Sequence, residues 1–256
     1  MTRDLFGLLT RIKLPGSACD IDSAARQQHL FPMIGLAVGL LLTIACLAMN
    51  HALEEDESVV AGGLLLVLMY ALTGIMHTEG MADFADGVMA SGAPARKREI
   101  MKDPRSGVAA VLTVVLFVAL LFALAWRMCA RADHSLDLWP LPWSIPFDSG
   151  FVVAEVGGKI AMNMSMAMGP SSHRGMGTAF VQNASTGKLL TALATAMIVS
   201  FFFAGLLSIV VLVGAAAGVI VTFLARKHFG GVSGDVFGAA NEVGRLSVLL
   251  TWVLIL

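Results

Sequence analysis

The sequence predicts an all-α fold: a polytopic membrane protein of about seven spanning helices with a cytoplasmic N-terminus. Composition is the first observation. Of 256 residues 57% are hydrophobic and 14% charged, with a mean hydropathy of +0.81, where a soluble domain averages about 45–50% apolar and about 25% charged. Run length is the second. The apolar residues come in stretches of about 20, enough to cross a hydrocarbon core of about 30 Å at about 1.5 Å per residue. The lipid bilayer is therefore the first partner implied. One integral membrane domain over residues 1–256 leaves no room for a soluble one, and a net charge of −1 argues against nucleic acid, which needs a clearly basic surface.

Phe31 to Met49 is the first span and Ser58 to Met76 the second, joined by the acidic turn Glu54-Glu55-Asp56-Glu57. Val108 to Trp126 is the third, with Val and Leu on every face, as lipid exposure requires. The fourth, Gly150 to Met168, holds Glu155, Lys159 and Asn163 at four-residue spacing, which gathers them on one helix face. Glu155 and Lys159 either pair there or contact a substrate, since ionisable groups inside a span mark a cavity or path. The almost uncharged stretch Lys188 to Ala225 fits two spans joined by a turn near Gly205 to Ser208. The seventh, Val236 to Leu256, follows Asp235, and its Glu242 shares that residue's face. The segment Met1 to Leu30 carries charges before any long apolar run, unlike a cleavable signal peptide. Cys19, Cys46 and Cys129 are odd in number and lack CxxC spacing, so they read as structural.

Basic residues in short loops favour the cytoplasm. Those before span one, between spans two and three and between four and five, together with Arg226, Lys227 and Arg245 flanking the loop before span seven, place 14 of the 17 on one side. Arg127 and Arg131 fall opposite and Lys159 inside the membrane. Trp126, Trp139 and Trp143 surround the outer loop after span three, where interfacial aromatics belong.

The chemistry concentrates in the first cytoplasmic loop, His77-Thr78-Glu79-Gly80-Met81-Ala82-Asp83-Phe84-Ala85-Asp86-Gly87. As a helix it would place Glu79, Asp83 and Asp86 at i, i+4 and i+7, three carboxylates facing one way. Like charges so placed repel, and a hard divalent cation such as Mg²⁺ removes the repulsion while binding substrate phosphate. The loop continues with Arg96, Lys97, Arg98, Lys102 and Arg105, which bind phosphate through charge-assisted hydrogen bonds. The alternative is a solvated acidic helix face. His77 is open between a structural role and that of ligand or base. Gly80, Gly87 and Gly107 weaken a helix and point to close backbone approach. In the loop Gly169 to Gly177, Arg174 could approach a phosphate, or the segment is a connector.

These residues resemble the signature of the cobalamin synthase family, the adenosylcobinamide-GDP ribazoletransferases, with the pattern H-x-D-G-x-A-D-x-x-D-G. Leu9-Thr10-Arg11-Ile12 with Pro15, Phe31 to Gly35, Arg98 to Gly107, and Gly234 to Ala239 with Glu242 resemble further family blocks in order. Two positions depart. Glu79 stands where the pattern has Asp, keeping the charge with a longer reach, and Lys159 stands in a neighbourhood where an Arg is expected, keeping the charge without the bidentate fork. The resemblance implies a transferase in the cytoplasmic membrane with its active site facing the cytoplasm. It would join adenosylcobinamide-GDP and α-ribazole, or its 5′-phosphate, into adenosylcobalamin or its phosphate, with release of GMP. A corrinoid nucleotide and α-ribazole are the implied substrates and Mg²⁺ the implied cofactor, held by Glu79, Asp83 and Asp86. His77 and Asp103 join Asp83 and Asp86 as catalytic candidates, Asp103 as second-metal ligand or base. Arg11, Arg98, Lys102, Arg105, Lys159 and Asp235 are the substrate-binding candidates. A homo-oligomer is compatible with the sequence. Two rivals remain: a CDP-alcohol-type phosphotransferase, whose longer Asp-Gly pattern is missing, and a solute or ion transporter, whose inverted repeats are not evident.

Overall fold

The computed structural model describes residues 2–15, 20–53, 57–131, 135–137 and 144–256. Cys19, the turn residues Glu54, Glu55 and Asp56, and Trp139 and Trp143 lie outside them. The described chain is helical apart from one small hairpin. Short helices α1 (Thr2–Leu9) and α2 (Ile21–Arg26) precede α3 (Phe31–Ala52) and α4 (Ser58–Thr73). Then come α5 (Met76–Met89), α6 (Pro94–Ile100) and α7 (Val108–Cys129). Strands β1 (Ser135–Asp137) and β2 (Ser144–Pro146) pair antiparallel. The chain closes with α8 (Gly150–Met168), α9 (Met176–Asn183), α10 (Thr186–Ala204), α11 (Val211–Phe229) and α12 (Gly234–Ile255).

Three helical stretches are long and apolar enough to cross a membrane: Gln28–Ala52, Val108–Cys129 and Thr186–Phe229. The bent pair α4 and α5 makes a fourth if counted as one span. These helices fit a membrane protein. Val111, Leu112, Val115 and Leu116 on α7 are all more than half exposed, the lipid-facing surface its sequence predicts. Helices α8 and α12, predicted as spans four and seven, fall outside this set because they carry the charges of the core.

Helix α8 is that core. All its residues except Met164, Ala167 and Met168 are buried, packed by α3, α10, α11 and α12. Helix α11 approaches backbone to backbone: a Cβ on Gly214 would meet the Gly157 carbonyl oxygen at 2.4 Å, and one on Gly218 that of Ala161 at 2.4 Å. Small residues serve lipid-embedded helices in this way because close packing replaces the hydrophobic drive between them.

The polar face of α8 meets α12 in a hydrogen-bonded network. Arg245 donates to Glu155 at 3.1 Å and also pairs with Glu242. The Lys159 ammonium donates to Asn241 Oδ1 at 2.6 Å, and the Asn241 amide donates to Glu242 at 3.2 Å. Glu155 therefore pairs with Arg245, a residue 90 positions away, and the partner of Lys159 is Asn241. Arg245 is no loop residue: it lies within α12 and is 2% exposed, so it drops out of the cytoplasmic charge count. Two cations and two anions make the network neutral, which burial demands. Cys46 and Cys129 are buried free thiols with sulfurs 3.7 Å apart.

Replacing Arg245 with Met would leave two buried carboxylates, Glu155 and Glu242, against the single charge of Lys159 and without their direct ion-pair partner. Thermal unfolding in detergent should show a loss of about 3–5 kcal/mol; a Tm unchanged from the parent would contradict the network.

Candidate active site

Helix α4 stops because Gly74 adopts φ +71° and ψ −170°, a conformation open essentially to glycine. The chain turns by 93° into α5, which lies across the end of the bundle against α12 and α7. Gly80 and Gly238 let the two backbones touch: a Cβ on Gly80 would meet the Asp235 carbonyl oxygen at 2.8 Å, and one on Gly238 that of His77 at 2.9 Å. Along α5, His77, Gly80, Met81, Phe84 and Gly87 are buried, while Glu79 is exposed and Asp83 and Asp86 are half-buried. The helical spacing read from the sequence is therefore present, with the carboxylates off the packed face.

The three carboxylates differ in occupation. Asp86 is committed to the backbone: Oδ2 accepts the Gly107 N–H at 2.6 Å and Oδ1 the Ala110 N–H at 2.8 Å. It thus caps α7, whose first residues have no side-chain cap of their own. Asp83 has no such donor. Burial first, then the neighbouring Asp235, Glu79 and Asp86, push its carboxyl up to about 6. Asp235 enters the acidic group from the first turn of α12, where its Oδ2 accepts the Ser233 hydroxyl at 3.2 Å.

The loop after α8 is fastened to this group. The Ser172 N–H donates to the Val232 carbonyl at 2.9 Å, and the Val232 N–H to that of Pro170 at 2.7 Å, pinning 170–172 just ahead of Asp235. The loop carries His173 into the fields of Asp235, Lys102 and Arg98; burial and then Lys102 hold its imidazole below the usual histidine range. Sequence reasoning weighed this loop through Arg174, which is exposed, and passed over His173. Its cue was the polar run Ser171-Ser172-His173 between two apolar helices.

The remaining candidates divide. Lys102 is exposed, with no ion pair among the described residues. Arg98 donates to the Phe229 carbonyl at 2.7 Å, closing the end of α11. Arg105 grips Asp103 with two hydrogen bonds of 3.0 Å and a third from its backbone, so the Asp103 carboxyl is held down to about 2. A carboxylate so acidic is a poor base. The Arg11 N–H donates to the Leu72 carbonyl at 2.7 Å, and its side-chain stem lies beside Gly74. Lys159 is fully buried, close enough to His77 for its charge to act there. His77 is 3% exposed, and its Nε2 has no hydrogen-bond partner. It lines a cavity of about 120 Å³ with Asp235 and apolar side chains from α1, α3, α8, α9 and α12.

Among the described residues, no three His, Cys, Asp or Glu side chains form a ready cage for a metal. The donor set nevertheless suits a hard divalent cation: Asp83, Asp235 and Glu79 are carboxylates in mutual repulsion, and a cation taking further oxygens from phosphate and water would relieve it.

A bundle of apolar helices carries an acidic helix over its end, with His173 and Lys102 beside Asp235, which is the architecture of a membrane protein with one polar, acidic end. The chain belongs to the cobalamin-5-phosphate synthase family, whose model it matches over residues 2–253. Three relatives carry the description adenosylcobinamide-GDP ribazoletransferase. That of Halorubrum lacusprofundi is 32% identical over 252 residues, 96% of this chain and 94% of the relative. That of Thermococcus onnurineus is 30% identical, covering 97% and 95%, and that of Fusobacterium nucleatum 25% identical, covering 98% and 96%. No solved structure matches the chain.

Asp83 and Asp86 should separate on substitution. Asp86→Ala removes a cap and should cost about 0.5–2 kcal/mol of stability, whereas Asp83→Asn relieves like-charge crowding and should leave the metal-free protein at least as stable. Thermal unfolding of the pair checks this. The carboxyl of Asp83 also sets a pH window: because its proton is held up to about pH 6, protons compete with Mg²⁺ below that value. Calorimetric titration should show affinity for Mg²⁺ falling as pH is lowered through about 6; a flat profile from pH 7 to 5 would count against Asp83 as a ligand.

Proposed function

We propose that the protein is an adenosylcobinamide-GDP ribazoletransferase working at the cytoplasmic face of the cell membrane. The observation that carries the activity is family membership over residues 2–253 together with a fold that gathers the signature carboxylates at one end of the bundle. Its substrates are then a corrinoid nucleotide and α-ribazole or its 5′-phosphate. Seven membrane-crossing helices, α3, α4, α7, α8, α10, α11 and α12, with the N-terminus in the cytoplasm, complete the topology. The basic residues of the loops at the α5 end support that orientation, even without Arg245.

In this account Asp83, Asp235 and Glu79 hold Mg²⁺, and Asp86 lends an oxygen only while still capping α7. The metal supplies charge neutralisation for a diphosphate and for the leaving group. The chain's own groups do the rest. Lys102, exposed and in the field of Asp235, draws the diphosphate in and balances its charge, and the exposed Arg174 next to His173 adds to it. Arg98, tied to the end of α11, fixes the basic loop beside the acidic helix and so orients Lys102. A ribazole hydroxyl attacks the phosphorus that bears the cobinamide, and GMP departs. His173 is a more suitable acceptor for the hydroxyl proton than Asp103, because it stays neutral near pH 7 while Asp103 is held down by Arg105. Lys159 acts from beneath, within the bundle, as a support for His77.

Purified protein in detergent, given adenosylcobinamide-GDP, α-ribazole and Mg²⁺, should release GMP in step with corrinoid product. Asp83→Asn should lower the rate by roughly 10²-fold or more, His173→Gln by roughly 10²-fold, and Asp103→Asn by less than about threefold. Absence of GMP from folded parent protein would overturn the assignment. Inactive Asp103→Asn with active His173→Gln would reverse the choice of base.

A further inference from the structure

The cavity under α5 has a composition that the transferase assignment does not by itself explain. Its wall is made by Leu8, Leu9, Phe31, Met162, Phe180 and Phe237 among others, and only two side chains on it, His77 and Asp235, are ionisable. Phe31 and Phe237 each meet Phe180 edge to face, with ring centroids 6.0 and 6.3 Å apart. The volume, about 120 Å³, is somewhat below the roughly 150 Å³ apolar cavity that takes up one benzene ring, but the cavity is not closed, so a larger flat ring system can enter it with one edge left outside. One of its lining residues has a polar atom with nothing to bind: His77 Nε2 is buried and unpartnered. Leaving such a group without a hydrogen bond costs about 1–3 kcal/mol, so the site is poised for a ligand that is mostly apolar and carries one complementary polar atom.

Resting on the transferase assignment, we infer that this cavity seats the benzimidazole ring of the ribazole substrate, with His77 Nε2 hydrogen-bonded to the free ring nitrogen. Three comparisons of chemistry favour this occupant. Guanine presents donors and acceptors around most of its edge; only His77 and Asp235 could answer them, and Asp235 already accepts from Ser233, so most would be buried unpaired. The corrin macrocycle is far too large for the volume. A lipid chain would fit the wall but leave His77 unsatisfied. A benzimidazole fills an apolar slot with two flat faces, and its single unsubstituted nitrogen needs one partner. Asp235 gives the arrangement its direction. It belongs both to the cavity wall and to the acidic group around Asp83, so a ring seated here projects its ribose toward the carboxylates and the phosphorus. On this account His77 is a specificity residue, reading the ring nitrogen of the incoming base.

The test uses the full-length protein in detergent and two ligands: α-ribazole, and its analogue in which C–H replaces the free ring nitrogen. Equilibrium dialysis should show the parent binding α-ribazole about tenfold more tightly than the analogue. His77→Phe should bind both equally and weakly. Leu8→Trp, on a half-buried wall position of α1, should fill the cavity and weaken both about tenfold or more, while the KM for adenosylcobinamide-GDP moves less than about twofold in either variant. Parent-like affinity for α-ribazole in both variants, no discrimination by the parent, or a shift confined to adenosylcobinamide-GDP overturns the inference. GMP release by the parent is scored separately. A protein that releases GMP with ribazole affinity indifferent to His77 keeps the transferase assignment and loses the cavity, whereas His77-dependent ribazole binding without GMP release does the reverse.

Discussion

The site depends on the break at Gly74. Had α4 run straight on, Glu79, Asp83 and Asp86 would have continued along its axis away from the bundle end, and α5 could not have packed against Asp235 and Gly238 of α12. Glycine's access to positive φ turns the chain by 93°. The apolar side of α5 then becomes a cover for the bundle end, with Phe84 edge-on to Phe229 at 5.6 Å, and the carboxylates stay within reach of water. Gly80 and Gly238 hold the cover down, because backbone contact at both leaves α5 little freedom to slide or roll over α12.

Two charged layers result, and their difference explains which residues are available for chemistry. The inner layer of Glu155, Lys159, Asn241, Glu242 and Arg245 balances two cations against two anions, with Glu155 Oε2 and Arg245 Nε left without a hydrogen bond. It holds α8 to α12 and has no charge left over. The outer layer of Glu79, Asp83, Asp86 and Asp235 is in acidic excess, and among the described residues Asp86 alone of the four has backbone donors to compensate it. In the proposed mechanism, these carboxylates are the ones that a cation brought in with the substrate would neutralise. His77 lies between the layers, in the field of Lys159 and Arg245, on the cavity wall and with its Nε2 unpartnered.

Much of this was legible in the sequence, and the failures share a cause. Apolar run length located the long helices, and spacing alone placed Glu79, Asp83 and Asp86 on one face of a helix; that this face is turned from the packing came from the structure. Both signals are local. The partners of Glu155, Arg245 and Asp86 are not: Arg245 was counted with the loop because its counter-ion is 90 residues away, and Asp86 looked free because the N–H groups it caps belong to residues 107 and 110. The second span ended early, at Thr73, because a single positive φ outweighed the apolar residues that follow. His173 went unremarked since its importance comes from the pinning of 170–172 to Val232, a contact no periodicity encodes.

The central claim is that α5 and the start of α12 form one cation site, with Asp83 and Asp235 as joint ligands. A double-mutant cycle on Mg²⁺ affinity, measured calorimetrically for the parent, Asp83→Asn, Asp235→Asn and the double variant, tests it most directly. Shared ligation predicts strong non-additivity, the second substitution costing far less than the first; losses that add to within about 0.5 kcal/mol would show two independent sites and contradict the account.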